Sequence, residues 1–478
     1  MNRALIRSIN IISYSRCSQL FIVPHLRFFS DCNKTNEHEE KEKKYSFSER
    51  TRDGLREFSF DSTKQKFISK NEEDNSIKGK LLRRLQEIPK AFLPKGYPKT
   101  VNGEYLPYCI WTSLSWVFSS AGGVLSMQSL LSAVGVGQGS TTLAAGLNWV
   151  IKDGLGQFGG VLFATLVSNH LDSASRSWRF LAAFALELST WLEVLTPLFP
   201  KFFIPLAAIA NTGKNISWLA GSATRAGIRY GFINAANMSD ITAKEGSQST
   251  MSTVIGTCIG IALSPYVCIH RGYVLATSFT LSLLSLYCLH KALKHVVLPT
   301  INKERGYYIM NSFLSTQLIP STEDIATMDS IYIPYMKNPE IPVIMGESFQ
   351  KVVEHIHTTN DYETFISIFE KEQYILNSFT SKPSKMSICI SLSEDATSND
   401  QLFGYLHGYL FRKELLNNSL NNYSQVYINQ LLMKTYKLSK DLYPKYISEL
   451  TEKNWNTSNI FIEEKNKRYT LHLKNKND

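Results

Sequence analysis

Residues 251–269 and 273–289 are two uncharged runs, of 19 and 17 residues, with only His270, Arg271 and Gly272 between them. A helix needs about 20 apolar residues to cross a hydrocarbon core, with a range of roughly 17–25. The pair therefore predicts a helical hairpin of membrane-spanning length with a tight charged turn. The first run contains Pro265 and many small residues. A large all-helical soluble core is the alternative, because apolar runs also make buried helices.

Charge distribution extends this apolar region. Between residues 91 and 300 there are 13 Lys plus Arg and 7 Asp plus Glu, about half the density of a chain that is 19% charged overall. No charge occurs from Tyr105 to Ile151. Residues 155–167 and 180–209 are also apolar, interrupted or flanked by Asp172, Glu187, Glu193 and Lys201. An ionisable group at a bilayer centre costs about 2.5–3.5 kcal/mol on insertion scales. Such groups are predicted to face a bundle interior, to pair, or to lie at an interface.

Three glycine pairs, Gly156/Gly160, Gly227/Gly231 and Gly256/Gly260, each fall four apart, on one face if helical. There a second backbone can approach closely. The net charge of +10 has no basic stripe interleaved with aromatics, so nucleic acid is not a predicted partner. The seven cysteines, Cys17, Cys32, Cys109, Cys258, Cys268, Cys288 and Cys389, form no CxxC pair. Neither a zinc site nor a disulfide framework is predicted, and His170, His270, His290 and His295 are too dispersed for a metal site.

The fold class that follows is mainly α: a helical, transmembrane bundle core with a small α+β C-terminal domain. Residues 1–34 read as an organelle-targeting presequence. Arg3, Arg7, Arg16 and Arg27 precede the first acidic residue, Asp31, and Leu5, Ile6, Ile9 and Ile12 recur at helical spacing. Arg27-Phe28-Phe29-Ser30 resembles a mitochondrial processing site; a plastid or another organelle is the alternative address. Residues 35–90 are rich in Glu, Lys, Ser and Asn and read as a disordered, charged linker ending in a short helix over 77–88. Pro94, Pro98 and Pro107 punctuate an extended entry to the core, residues 91–300. The α+β region, residues 301–478, is predicted to hold an amphipathic helix over 365–379, a strand over 387–392, a helix capped near Asn399-Asp400, and a polar last stretch that is a frayed helix or tail.

Within the core, Asp153, Lys214, Arg225, Arg229, Asp240, Lys244, Glu245 and Gln248 form the candidate polar or binding centre. Arg225 and Arg229, four apart, can hold an anion, a phosphate ester or lipid headgroups, or else pair with Asp240 or Glu245. Asp240 and Lys244 form an i,i+4 acid-before-base pair. Asn211-Thr212-Gly213-Lys214 lacks the spacing of a phosphate loop. No nucleophile–base–orienter set is present.

Phe92-Leu93-Pro94-Lys95-Gly96-Tyr97-Pro98, Ala133-Val134-Gly135-Val136-Gly137, Trp149-Val150-Ile151-Lys152-Asp153-Gly154, Ala223-Thr224-Arg225 and Ala243-Lys244-Glu245-Gly246-Ser247-Gln248 resemble the root UVB-sensitive family in order and spacing. The resemblance continues, less tightly, in Glu370-Lys371-Glu372-Gln373-Tyr374-Ile375-Leu376 and Asp400-Gln401-Leu402-Phe403-Gly404-Tyr405-Leu406-His407. It implies a membrane-associated protein connected with vitamin B6 homeostasis, for which no biochemical activity is agreed. Membrane lipid and other family members, in homo- or hetero-oligomers, are the partners implied. The function expected is a non-enzymatic carrier, scaffold or trafficking component, without a cofactor. The alternative is a membrane-bound enzyme or binding module for a small anionic cofactor such as pyridoxal phosphate, with Lys214 or Lys244 forming a Schiff base.

Overall fold

The computed structural model describes residues 46–51, 54–61, 66–69, 91–134, 142–167, 173–234, 237–332, 339–382, 385–417, 424–463, 465 and 467–470. The presequence and the helix expected over 77–88 lie outside the described residues. The chain divides into two units, residues 1–81 and 82–478.

In the first unit, strands β1 (Ser46–Thr51), β2 (Gly54–Asp61) and β3 (Lys66–Ser69) form an antiparallel sheet in that order. This corrects the linker expected over 35–90. The register pairs Phe47 with Phe58 and Phe60 with Phe67, which places four phenylalanines on one face. Phe67 meets Phe47 and Phe60 edge-on, at 5.7 and 5.2 Å between centroids. A few aromatics at a spacing of two order a strand that averaged composition reads as polar.

The second unit begins with a helical core: α1 (Tyr105–Val134), α2 (Thr142–Val167), α3 (Ser175–Leu195), α4 (Phe203–Tyr230), α5 (Met238–Val267) and α6 (Arg271–Lys294). The entry segment is pinned by a bridge between Val101 and Ile233. Pro107 lies inside the first turn of α1, where a missing N–H costs little, rather than in the extended entry. Helix α1 is the axis. It packs along α5, α6 and α3, while α4 lies against α3 and α2 against α4. The runs at 251–269 and 273–289 do form consecutive helices, and the His270 side chain caps α6 by accepting from the Gly272 N–H. They are not a close-packed hairpin, however, because both dock on α1 instead of on each other.

Along α5 and α6 many buried positions are polar or small and much of the outer face is apolar. Buried positions of α5 include Glu245, Gln248, Ser252, Gly256 and Gly260, and those of α6 include Ser278, Ser282 and Ser285. Met251, Val254, Ile255, Ile259, Phe279, Leu283 and Leu284 are exposed. Helices spanning Ser175–Leu198, Met238–Val267 and Arg271–Lys294 are long and apolar enough to cross a membrane, with mean hydropathies of 1.3, 1.4 and 1.5.

The glycine pairs explain the close packing. A side chain at Gly256 would strike the Val117 carbonyl of α1, and one at Gly260 would lie 2.9 Å from the Ala121 carbonyl. Gly156 and Gly160 of α2 sit over Asn211 and Asn215 of α4. Gly227 faces Ser175 of α3, but Gly231 lies beyond the end of α4, against the Val297 carbonyl. The Gly227/Gly231 pair therefore does not form one helix-packing face.

The rest of the unit is α+β. Strand β4 (Thr300–Asn302) leads into α7 (Lys303–Thr316) and α8 (Thr322–Met328). Strands β5 (Val343–Met345), β6 (Tyr374–Lys382) and β7 (Lys385–Ser393) follow, interleaved with α9 (Phe349–Val353) and α10 (Thr359–Phe369). Helices α11 (Ser398–Asn417) and α12 (Gln425–Glu452), then β8 (Asn456–Phe461) and β9 (Arg468–Tyr469), complete it. The sheet runs β5-β7-β6, with β9 also on β7, and β8 pairs in parallel with β4.

Two expectations change here, and of the two readings of the last stretch the helix is the one observed. The helix predicted over 365–379 stops at Phe369, and the same apolar run restarts as β6 at Tyr374. Asp400 is the third residue of α11, accepting from the Thr397 N–H at 2.8 Å, so Thr397 makes the cap. The polar tail is largely the 28-residue α12, held by a stripe of Ile428, Leu431, Leu432, Tyr446 and Leu450.

A charged clasp joins the C-terminal region to the core. Asp329 takes Arg305 Nε at 3.0 Å and faces Arg176 of α3 at 3.5 Å. Arg176 also donates to the Ala326 carbonyl, and Glu304 accepts from the Ser330 N–H. Burial, with the Asp329 carboxylate beside it, pushes the Glu304 carboxyl up to about 7.

Candidate functional site: three arginines around one carboxylate

Near the start of α1 and α5 the core gathers its cations. Arg225 and Arg229 leave one face of α4, as their spacing requires, toward Glu245 on α5. Arg229 Nε is bonded to Glu245 Oε2, and Arg225 Nε lies 3.7 Å from Oε1. From α3 comes Arg179, only 8% exposed, within the electrostatic reach of Arg225, Glu245 and Tyr108. The Arg179 and Arg225 guanidiniums converge over Gly221, where a side chain would lie 3.2 Å from Arg179 Nη1. A side chain there would push the Arg179 guanidinium aside by a few tenths of an ångström.

Three guanidiniums thus face one carboxylate. Among the described residues, Arg179 Nε is buried without a hydrogen-bond partner, as are Tyr105 OH and Thr112 Oγ1 of α1. Unmade hydrogen bonds of this kind are costly and call for a physical explanation. The arrangement can accept a compact anion: guanidiniums supply forked donors matched to phosphate or carboxylate, and the hydroxyls add neutral ones. Glu245 holds two of the three cations in place without neutralising the set.

The Phe92–Pro98 segment closes over α5. Gln248 Nε2 donates to the Phe92 carbonyl at 2.7 Å, and Asp240 accepts from the Lys95 N–H at 2.7 Å. Of the eight predicted residues, Arg225, Arg229, Glu245 and Gln248 come together. Asp240 lies on the first turn of α5, bonded to the entry segment, and Lys244 is on the half-buried side of α5 next to Glu245. Lys214 is elsewhere, bonded to Glu193 of α3. Asp153 is elsewhere too, 2.7 Å from Lys152 Nζ and accepting from Asn211 Nδ2 at 3.2 Å. Arg179, Tyr105 and Thr112 were missed. The available signal was an arginine inside an apolar run that forms an amphipathic α3. Among the described residues no group of three or more His, Cys, Asp or Glu is placed to hold a metal ion.

Comparison with known proteins bears on these same residues. Residues 79–317 match the model of a vitamin B6 photo-protection and homoeostasis domain, and residues 319–470 match that of the root UVB sensitive protein C-terminal region. Root UVB sensitive 3 of Arabidopsis thaliana is 31% identical over 247 residues, 52% of this chain and 56% of that protein. Root UVB sensitive 2, chloroplastic, of the same plant is 29% identical over 376 residues, 78% and 83% of the two chains. RUS family member 1 of Dictyostelium discoideum is 33% identical over 245 residues, 50% and 46%. For the first and third of these the chain thus spans about half the length of the relative. No solved structure matches it significantly. The two models together cover the helical core, its arginine centre and the α+β region, and the chain belongs to the root UVB-sensitive family.

Proposed function

We propose that this protein is a membrane-embedded, non-enzymatic carrier whose arginine centre holds a small phosphate ester, a B6 phosphate being the ligand class that the matched domain suggests. One observation carries the reading: three guanidiniums answered by a single carboxylate, with Arg179 Nε buried and unpartnered. A dianionic phosphate supplies the missing acceptors. The small and polar interior, the apolar exterior and the three helices of spanning length support a place in a bilayer.

The site fits the phosphate end of such a ligand. For a covalent bond to its aldehyde, Lys214 is badly placed: its ammonium is bonded to Glu193, and eleven residues separate it from Arg225, roughly 16 Å at 1.5 Å per residue. Lys244, half-buried next to Glu245, is the lysine near the centre; binding without chemistry is our proposal, and an imine absorbance with pyridoxal phosphate that is lost in Lys244→Arg would overturn it. The membrane is that of an organelle, addressed by the Arg-rich, acid-free start; mitochondrion is the first choice and plastid the second.

The test is calorimetric binding to the full chain in detergent or nanodiscs. Pyridoxal phosphate and inorganic phosphate should bind, and pyridoxal should not. Arg179→Gln should weaken phosphate binding about tenfold or more, the loss of one charge-assisted bond of 1.5–3 kcal/mol. Equal affinity for pyridoxal, or no loss in Arg179→Gln, refutes the assignment. Complete release by alkaline carbonate refutes membrane insertion, and a diffuse reporter signal from a fusion to residues 1–34 refutes the address.

A further inference from the structure

Away from the arginine centre, the α1 axis carries a second polar assembly built on two acids and one base. Ser115, Ser119 and Ser126 of α1 look toward α3 and α6, and α6 answers with Ser278, Ser282 and Ser285. Between them lie Glu187 and Glu193 of α3, each only 2% exposed. Ser282 Oγ donates to Glu187 Oε2 at 2.6 Å and accepts from Trp191 Nε1 at 2.9 Å. Ser119 and Ser285 also reach Glu187, and Ser285 lies 3.2 Å from Ser115. Glu193 accepts from Ser126 Oγ and from Lys214 Nζ of α4.

The charges do not balance. Among the described residues, Glu187 is faced by hydroxyls from α1 and α6 and by Lys214 from α4, whose ammonium is bonded to Glu193 farther along α3. Fully ionised, two carboxylates and one ammonium leave one negative charge surrounded only by hydroxyls and an indole. A desolvated carboxylate without its own counter-ion takes up a proton instead. The ammonium is bonded to Glu193, so the proton falls to Glu187.

A route to this acid is visible. A crevice of about 380 Å³ between α3 and α6 is lined by Trp191, Leu195, Leu275, Ser278 and Phe279. Ser278 Oγ in its wall is buried with no hydrogen-bond partner among the described residues. Ser278 is one helical turn from Ser282, and Trp191 is bonded to Ser282 directly. Trp191 thus leads from the crevice wall to Glu187 through Ser282, and Ser278 stands one turn from that link.

We propose that Glu187, Glu193 and Lys214 form a single-proton exchange site, reached through the α3–α6 crevice. Its ligand is H⁺. Water in the crevice delivers a proton to the Glu187 carboxylate as hydronium and receives it back, with Ser282 accepting one hydrogen bond as it donates another. Nothing is oxidised or reduced. The site is independent of the anion reading, since it shares no residue with the arginine centre.

Infrared difference spectroscopy on the reconstituted full chain tests it, taken between neutral and alkaline pH and in D₂O. The wild type should show a protonated-carboxyl stretch that shifts in D₂O and disappears at alkaline pH. Glu187→Gln should lack that band while keeping the wild-type melting temperature and its affinity for inorganic phosphate; Ser278→Val should slow its exchange. A wild-type protein without the band, a band that never exchanges, or one that survives in Glu187→Gln overturns the proposal. The wild-type spectrum alone decides if the variant fails to fold. Failure of phosphate to bind would strike only the arginine centre.

Discussion

The same substitution at two glycines of α5 should have opposite effects. An ideal Cβ on Gly256 collides with the Val117 carbonyl oxygen and lies 2.8 Å from Ser120 Cβ, whereas one on Gly246 meets nothing within 4 Å. Replacing Gly246 by Ala therefore gives only the helix-propensity gain, about 1 kcal/mol. At Gly256 that gain is offset by overpacking. Restoring ordinary contact at about 3.5 Å pushes α5 away from α1 by about 1 Å, and extra core volume of this kind costs about 1–3 kcal/mol. The obstacle is backbone, so no rotamer change relieves it. The two alanine variants should then differ by about 1–3 kcal/mol, or several degrees in melting temperature, with Gly256→Ala the lower. Gly256→Leu should fail to accumulate. Thermal denaturation of purified protein in detergent, read by fluorescence-detected size exclusion, measures the difference. If Gly256→Ala melts as high as Gly246→Ala, the backbone contact between α1 and α5 is absent and the central place of α1 falls with it.

Charge reversal at Arg225 should impair function and abundance more than Arg225→Gln, since Arg225→Glu sets a second carboxylate against Glu245, 3.7 Å from the present Nε. A compensating Glu245→Gln should restore abundance more than Asp240→Lys, because Asp240 accepts from the Lys95 N–H; equal rescue by both would contradict this pairing. The raised carboxyl of Glu304 favours the folded state while protonated, so its contribution is full below about pH 4.5 and is lost as pH climbs through about 7. Wild-type melting temperature should fall relative to Glu304→Gln from pH 5 to 8, and parallel curves would exclude the effect. His407 runs the other way. Enclosed by Tyr374 OH and Thr435 Oγ1, it is pushed by burial down to about 3, so its stabilising contribution is present above about pH 6.5 and is lost on acidification toward 3. Acid unfolding of the wild type should steepen relative to His407→Gln by up to about 1.4 kcal/mol per pH unit.

What could be read in one dimension was whatever depended on near neighbours in the chain. Two uncharged runs of bilayer length became α5 and α6, and the Arg225/Arg229 spacing put both cations on one face of α4. Asp240 and Glu245 are both candidate partners for the arginines in the sequence, and nothing local chooses between them. The acid that meets both arginines is Glu245, more than a turn further along the same helix. That choice is made by the rotation of α5 against α1, which Gly256 and Gly260 fix through backbone contacts far from the charges. Strand β2 and the full length of helix α12 were hidden for a different reason. Their polar composition conceals apolar residues at the right period, two for the phenylalanines of the sheet and three to four for the Ile428–Leu450 stripe.

Lys214 and Arg179 mark the limit most sharply. Both lie in apolar surroundings, and hydropathy alone ranks them as equivalent interruptions. In the fold, Lys214 is drawn to Glu193, whereas Arg179 reaches Glu245 only by sharing it with two other arginines. A hydropathy profile counts charges per window, but the cost of burying each depends on which opposite charge faces it from another helix. That cost sets two excess positive groups at one end of α1 and one excess negative group farther along it. Neither imbalance has a counterpart in local sequence, because in both clusters the opposite charges come from different helices: Arg179, Arg225 and Arg229 on α3 and α4 face Glu245 on α5, and Glu187 and Glu193 on α3 face Lys214 on α4. Measuring anion binding at the first and proton uptake at the second would show whether two opposite imbalances on one helix axis are used together, a coupling that would appear as phosphate affinity changing with the protonation of Glu187 and would vanish in Glu187→Gln.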